Sequence, residues 1–177
     1  MDLGLKGLNA IVTGGTKGIG RAIARTLAAE GANVALCARN ADEVAATMAA
    51  FASYGVKVSG RPVDVGDGPA LKAWVAQVVA DWGGIDIVVA NVSALAIGND
   101  EASWLKEFEV DMMGTVRLVD AALPSLLASK AAAIVTISSV SGRAIDFAAG
   151  PYGTMKAALI HCTHGLACQL AGKGMQS

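Results

Sequence analysis

The feature that most constrains the fold of this chain is the regular alternation of short apolar runs with longer helical patterns. Five runs are rich in Val, Ile, Leu and Ala and predict strands: Leu8–Val12, Asn33–Cys37, Val56–Val63, Asp86–Ala90 and Ala132–Ile137. These runs are apolar throughout and do not alternate in polarity, which is typical of strands buried on both faces. We therefore expect a doubly wound, Rossmann-type α/β fold with a mostly parallel sheet and helices on both faces.

The segments between the strands carry helical periodicity. The predicted helices are one from about Ile23 to near Gly31, then Ala41–Tyr54, Pro69–Trp82, Trp104–Leu127 (in one or two pieces) and Tyr152–Ala171. The chain has 177 residues and contains no linker, repeat or low-complexity stretch. We expect one domain over residues 1–177.

A glycine-rich turn joins the first strand to the first helix. It contains Gly14, Thr16, Lys17, Gly18, Ile19 and Gly20. Glycines allow a tight turn and a close backbone approach, and the helix N-terminus offers free N–H groups to a pyrophosphate. A glycine-rich turn alone is a common structural feature, but the strand–turn–helix setting favours dinucleotide binding.

The ends of the next strands suggest which dinucleotide binds. Ala38 and Arg39 follow the second strand, where an acidic residue would bind the ribose of NAD and an arginine would accommodate the 2′-phosphate of NADP. Lys17 could add a second positive charge, although either cation could be a solvated surface residue. These residues favour NADP, with NAD as the alternative. Asp64, beside Val65, is a candidate for the adenine amino group or, with equal weight, a turn residue.

A second candidate site lies in the stretch from Ile134 to Lys156. The fifth strand ends in hydroxyl residues that include Ser139, and Tyr152 and Lys156 follow at a spacing of four. That spacing places both on one helix face, where an ammonium favours the phenolate form of a phenol. Such a phenol can exchange a proton with a substrate oxygen. The alternative is an ordinary strand, loop and helix without chemistry.

Composition argues against several other functions. The net charge is −1 and no Lys/Arg cluster is present, so we expect no nucleic-acid partner. No apolar run is long enough to span a membrane, and the first residues do not resemble a signal peptide. The three cysteines lack metal-ligand spacing. We expect a cytoplasmic protein without a metal site.

From Leu8 to about Gly174, the chain resembles the short-chain dehydrogenase/reductase family. The resemblance rests on the glycine-rich turn, Asp64, Asn91, Ser139 and the Tyr152/Lys156 pair in that order. It implies reversible hydride transfer between a nicotinamide cofactor and an alcohol or carbonyl substrate, with Ser139, Tyr152 and Lys156 catalytic. It also implies cofactor contacts at the turn, Asn91, Tyr152 and Lys156, and a homodimer or homotetramer built on the two long helices.

Three departures from the family pattern affect this expectation. Ser93 stands where the family has glycine, and Asp111 stands at the family's catalytic asparagine. A carboxylate there would stabilise Lys156 as a cation and alter the proton relay. The chain also ends at Ser177, before the family's last strands and substrate loop, so we expect an exposed fifth strand, association and weak turnover. The alternative is a nucleotide-binding, dimer-forming fragment or pseudoenzyme without turnover.

Overall fold

The computed structural model describes residues 3–146 and 150–173, so the predicted end of the resemblance at Gly174 lies outside the described residues. Five strands are present: β1 (Asn9–Thr13), β2 (Asn33–Ala38), β3 (Val58–Pro62), β4 (Ile87–Ala90) and β5 (Ala133–Thr136). Their order across the sheet is β3-β2-β1-β4-β5, and every neighbouring pair is parallel. The predicted doubly wound parallel sheet is confirmed, with β3 and β5 at its edges.

Helices connect the strands at every step. They are α1 (Gly18–Ala29), α2 (Ala41–Phe51), α3 (Gly68–Trp82), α4 (Glu101–Glu107), α5 (Gly114–Ala128) and α6 (Pro151–Leu170). A π-helical segment, Phe108–Met113, joins α4 to α5. The prediction of a largely helical stretch from Trp104 to Leu127 is confirmed, but α4 begins three residues earlier because the Asp100 carboxylate caps it by accepting from the Ser103 N–H.

The two faces of the sheet are packed by different helices. On one face, α3, α5 and α6 contribute Leu71, Leu118 and Leu170 to a buried cluster. On the other, α1 and α2 contribute Ala24 and Phe51.

This two-sided burial explains the apolar sequences of β1, β2 and β4. The expectation that every strand is apolar throughout is wrong for β3, an edge strand that contains Ser59, Gly60 and Arg61. Burial is less complete at the β5 edge of the sheet, where the side chain of Val135 is 43% exposed to solvent.

Parallel strands place all their carboxyl ends at the same edge of the sheet, where open α/β sheets bind ligands. The turn after β1, Arg39 after β2, Asp64 after β3 and Asn91 after β4 all lie at that edge. The serines that follow β5 also lie there. The topology therefore brings the cofactor candidates and the catalytic candidates to one side of the molecule.

Candidate active site

The glycine-rich turn is built from glycines with two different roles. A Cβ atom at Gly20 would lie 2.3 Å from the Gly14 carbonyl oxygen and 2.4 Å from Nδ2 of Asn91, so Gly20 permits close packing of α1 against the turn. Gly18 has a φ of +50° and no atom within 4 Å of its Cβ position. Gly18 lines a cleft, and the absence of a side chain leaves its backbone accessible to a ligand.

The start of α1 is available to an anion. Lys17 occupies the N-cap position without a side-chain capping bond, and the first turn of α1 contains no acidic residue. The helix dipole and the free N–H groups therefore point to the cleft without an internal partner. Ile19, in the same turn, is 61% exposed. A dinucleotide pyrophosphate fits this arrangement.

Glu43 is a residue of the cleft that the sequence analysis did not identify. Its carboxylate contacts Nζ of Lys17 at 2.6 Å and accepts a hydrogen bond from the Thr16 hydroxyl at 3.2 Å. The hydrogen bond from Lys17 holds the pKa of the Glu43 carboxyl below its usual value. Lys17 is therefore already paired with an acid. The signal was the Asn-x-x-Glu pattern at residues 40–43, which resembles a capping box at the start of α2.

An open cleft of about 560 Å³ runs along the carboxyl edge of the sheet. This volume is within the range of small-molecule and cofactor sites. Eight of the predicted cofactor residues line it: Gly14, Thr16, Lys17, Gly18, Arg39, Asp64, Val65 and Asn91. The loop after β4 also lines it, through Val92, Ser93, Ala94 and Leu95. The other four predicted cofactor residues are not among its lining residues: Ile19, Gly20, Tyr152 and Lys156.

Asp64 and Asn91 make bonds that shape the cleft. One carboxylate oxygen of Asp64 accepts from the Gly66 N–H at 2.9 Å, which fixes the turn after β3. The amide nitrogen of Asn91 donates to the carbonyl oxygens of Thr13 and Gly14 at 3.1 and 3.4 Å. Asn91 therefore ties the end of β4 to the glycine-rich turn. Arg39 is exposed at the mouth of the cleft.

Lys156 and Asp111 form a buried ion pair behind the cleft. Nζ of Lys156 lies 3.0 Å from Oδ2 of Asp111, and both side chains are at most 3% exposed. The ammonium also donates to the Ile137 carbonyl oxygen at 3.1 Å and lies 5.7 Å from the centre of the Tyr152 ring. An ammonium has three donors, so one remains for a ligand. The other carboxylate oxygen of Asp111 accepts from the N–H of Ala94, which lines the cleft.

Ser139 is held in a short chain of hydroxyl groups. It donates to the Ser141 hydroxyl at 3.2 Å, and Ser141 donates to the Asp146 carboxylate at 2.7 Å. The preceding Ser138 donates to the Lys156 carbonyl oxygen at 2.8 Å, which fixes this loop against α6. The loop and the helix that carry the catalytic candidates are therefore joined directly. The sequence analysis did not single out Ser141 or Asp146.

Glu107 is a fully buried carboxyl next to this group, and the sequence analysis also missed it. It precedes Asp111 by four residues, accepts a hydrogen bond from the Ala96 N–H, and is a direct neighbour of the Asp111 carboxyl. Burial, followed by the contact with Asp111, raises the pKa of Glu107 to about 7. The available signal was an acidic i, i+4 pair within a helical stretch.

Residues 3–146 and 150–173 bring together no group of three or more His, Cys, Asp or Glu side chains that could hold a metal ion. Within the same residues, no helix combines the length and the apolar character that a membrane span requires.

Comparison with known proteins identifies the family. The short chain dehydrogenase family model matches residues 8–176. The isoepoxydon dehydrogenase of Penicillium expansum is 35% identical over 184 residues, which cover 99% of this chain and 70% of that protein. The chain matches eight curated relatives and covers 58% to 70% of the length of each.

Two solved structures share the fold and differ in cofactor. The L-sorbose reductase from Gluconobacter frateurii, complexed with NADPH and L-sorbose, has a TM-score of 0.93 and 30% identity, over 99% of this chain and 68% of that one. The carveol dehydrogenase from Mycobacterium avium, in complex with NAD, has a TM-score of 0.90 and 26% identity. This match covers 95% of this chain and 67% of that one. The chain therefore belongs to the short-chain dehydrogenase family of oxidoreductases, as its motifs indicated.

Proposed function

We propose that this protein is an NADP(H)-dependent oxidoreductase that transfers hydride between the nicotinamide and an alcohol or carbonyl substrate. Ser139, Tyr152 and Lys156 carry the chemistry. The observation that supports this most is the Lys156 ammonium, buried 5.7 Å from the Tyr152 ring centre and joined through Asp111 to the cleft at Ala94. A buried cation beside a phenol near a dinucleotide-sized cleft suits proton exchange with a substrate oxygen.

The residues of the cleft fit a dinucleotide. The open backbone at Gly18 and the uncapped start of α1 suit the pyrophosphate. Asp64 and Val65 line the cleft and are our candidates for the adenine contact. We assign the remaining N–H of Lys156 to the nicotinamide ribose. When bound, the nicotinamide supplies or accepts the hydride.

The protein's own groups then manage the proton and the orientation of the substrate. Tyr152 gives a proton to the substrate oxygen during reduction and takes it back during oxidation. Lys156 stabilises the negative charge that develops on the phenol, because its buried ammonium lies 5.7 Å from the centre of the Tyr152 ring. Ser139 orients the substrate oxygen, after its hydroxyl proton turns from Ser141 toward the substrate.

The preference for NADP(H) rests chiefly on Arg39. Lys17 also lies at the cleft, but Glu43 partly cancels its charge. One exposed contact between arginine and phosphate contributes on the order of 1 kcal/mol, which corresponds to roughly a tenfold preference. The alternative is NAD(H), with Glu43, an acidic residue that lines the cleft, as the candidate partner of the ribose hydroxyls.

Fluorescence titration with NADPH and NADH tests this preference. We expect Arg39→Asp to weaken NADPH binding about tenfold or more and to leave NADH binding nearly unchanged. Arg25→Asp is the control, because Arg25 is an exposed residue of α1 that does not line the cleft. Equal affinity of the unmodified protein for both cofactors contradicts the preference.

A nucleotide-binding protein without turnover is the second candidate. The Asp111–Lys156 ion pair favours it, because the Asp111 carboxylate neutralises the positive charge that would stabilise the Tyr152 phenolate. Oxidation of NADPH in the presence of a panel of aldehydes and ketones distinguishes the two. A protein that binds NADPH and oxidises none of it, with any of these substrates, supports the second candidate.

The protein is also proposed to self-associate. Leu105 and Phe108, on α4 and the π-helical segment, are 61% and 44% exposed. Light scattering measures the oligomeric state directly.

A further inference from the structure

The pair of buried carboxyl groups at Glu107 and Asp111 requires a proton. Both side chains are 0% exposed. Oε2 of Glu107 lacks a hydrogen-bond donor among the residues that the structure describes, and Oδ2 of Asp111 has only the Lys156 ammonium, at 3.0 Å. The two carboxyl groups are direct neighbours. Two ionised carboxylates cannot share a buried contact without strong repulsion. A proton between them removes the repulsion and gives Oε2 of Glu107 a partner.

The charges around the pair balance only when that proton is present. The charged groups that face Glu107 are Asp111, four residues along the same helical stretch, and Lys156 on α6. The loop after β4 contributes the uncharged Ala96 N–H. One neutral acid, one carboxylate and one ammonium give a net charge of zero, which a buried site tolerates far better than an extra negative charge.

The two carboxyl groups also hold the loop that lines the cleft. Asp111 accepts from the Ala94 N–H at 2.8 Å, and Glu107 accepts from the Ala96 N–H. Between these two residues lies Leu95, which has a φ of +52°. A non-glycine residue in the left-handed region costs about 1–3 kcal/mol, so surrounding contacts must maintain it. The carboxyl pair supplies a contact on each side.

We propose that Glu107 is a positioning residue for the reaction: it carries a proton that it shares with Asp111, and the resulting pair holds Lys156 on one side and the loop after β4 on the other. The role in the reaction rests on the proposed function. When Glu107 loses this proton, two carboxylates compete for Lys156, and the ammonium is drawn away from Tyr152 and the ribose. Cofactor affinity therefore falls as Glu107 ionises.

The pKa of Glu107 gives the pH window. Because the value of about 7 is above the ordinary range of glutamate, folding stabilises the protonated form. This contribution is fully present below the unfolded-state pKa and is lost as pH rises through about 7. Glu107→Gln keeps an acceptor for Ala96 and supplies a permanent donor to Asp111, so it removes the titration while preserving the contacts.

The first experiment measures melting temperature against pH for the unmodified protein, Glu107→Gln and the control Glu101→Gln. Glu101 is an exposed glutamate of the same helix. From about pH 5 to about pH 8.5, we expect the unmodified protein and the control to lose roughly 5 °C relative to Glu107→Gln. A parallel pH dependence in all three proteins overturns the proposal.

The second experiment does not depend on the folding of a variant. Infrared spectroscopy of the unmodified protein detects the C=O stretch of a neutral carboxylic acid. We expect a buried-acid band that disappears with a midpoint near pH 7, and its absence at acidic pH overturns the proposal.

The third measurement is NADPH affinity against pH. We expect affinity to fall about tenfold above neutral pH in the unmodified protein and to stay flat in Glu107→Gln. The same fall in Glu107→Gln overturns the positioning role. If neither protein binds NADPH, the proposed function has failed, while the infrared and melting data still decide whether the proton is shared.

Discussion

Replacing Gly20 by alanine should chiefly lower stability, whereas replacing Gly18 should chiefly weaken NADPH binding, because the two glycines have different surroundings in the structure. A methyl group at Gly20 would lie 2.3 Å from the Gly14 carbonyl oxygen. The backbone of the turn or of α1 must therefore move by roughly 1 Å to relieve the clash. Overpacking of this kind costs about 3 kcal/mol, and the better helix propensity of alanine offsets about 1 kcal/mol. The net loss of about 2 kcal/mol lowers the melting temperature by about 4–8 °C.

A methyl group at Gly18 meets no atom within 4 Å, so the change in stability comes from its φ of +50° alone. The left-handed backbone costs alanine about 1–2 kcal/mol, and the reduced entropy of the unfolded chain offsets about 0.5–1 kcal/mol. We expect a loss of about 2 °C. The methyl group projects toward the cleft at the pyrophosphate position, so NADPH affinity should fall at least about tenfold.

Gly55 provides the matched control for backbone strain. It has a φ of +69°, has no atom within 4 Å of its Cβ position and does not line the cleft. Gly55→Ala should therefore lose as much stability as Gly18→Ala while binding NADPH normally. Thermal melting and fluorescence titration of the three variants decide the matter. Normal NADPH binding by Gly18→Ala, or an unchanged melting temperature for Gly20→Ala, refutes the reasoning.

Two further predictions concern single side chains. Glu43→Gln removes the acid that pairs with Lys17. In the same titration, NADPH affinity should therefore rise by roughly two- to tenfold while NADH affinity stays constant. An unchanged NADPH affinity would place Lys17 away from the 2′-phosphate. Burial raises the pKa of Cys37 to about 12, so at neutral pH iodoacetamide should label the exposed Cys168 and leave Cys37 intact, as read by peptide mass spectrometry. Equal labelling of the two thiols in the folded protein would contradict the burial of β2.

The central strands were predictable because burial on both faces favours a continuous apolar run in each of them. β2, predicted at Asn33–Cys37, ends one residue later at Ala38. β3 occupies only Val58–Pro62 of the predicted Val56–Val63. This strand lies at an edge of the sheet and contains Ser59, Gly60 and Arg61, so its pattern is weaker.

The site was predictable where its residues occur in one local motif, and not where it depends on contacts between distant segments. The glycine-rich turn and the spacing of Tyr152 and Lys156 are local patterns. The pairing of Lys17 with Glu43 joins a turn to another helix. The capping-box pattern at residues 40–43 marks Glu43 at the start of α2, but it does not predict Lys17 as its partner. Glu107 reads as an ordinary exposed helix residue, because its burial depends on the loop after β4 and on α6.

The central claim is that this cleft holds a nicotinamide cofactor whose hydride transfer depends on the Tyr152 phenol. NADPH carrying deuterium at the transferable position, incubated with a panel of aldehydes and ketones, tests it most directly by mass spectrometry of the products. We predict an alcohol with one deuterium on carbon, and a loss of about 10²- to 10⁴-fold in rate for Tyr152→Phe at nearly unchanged NADPH affinity. Deuterium transfer by Tyr152→Phe at the rate of the unmodified protein, or no transfer to any carbonyl compound despite NADPH binding, would contradict the claim.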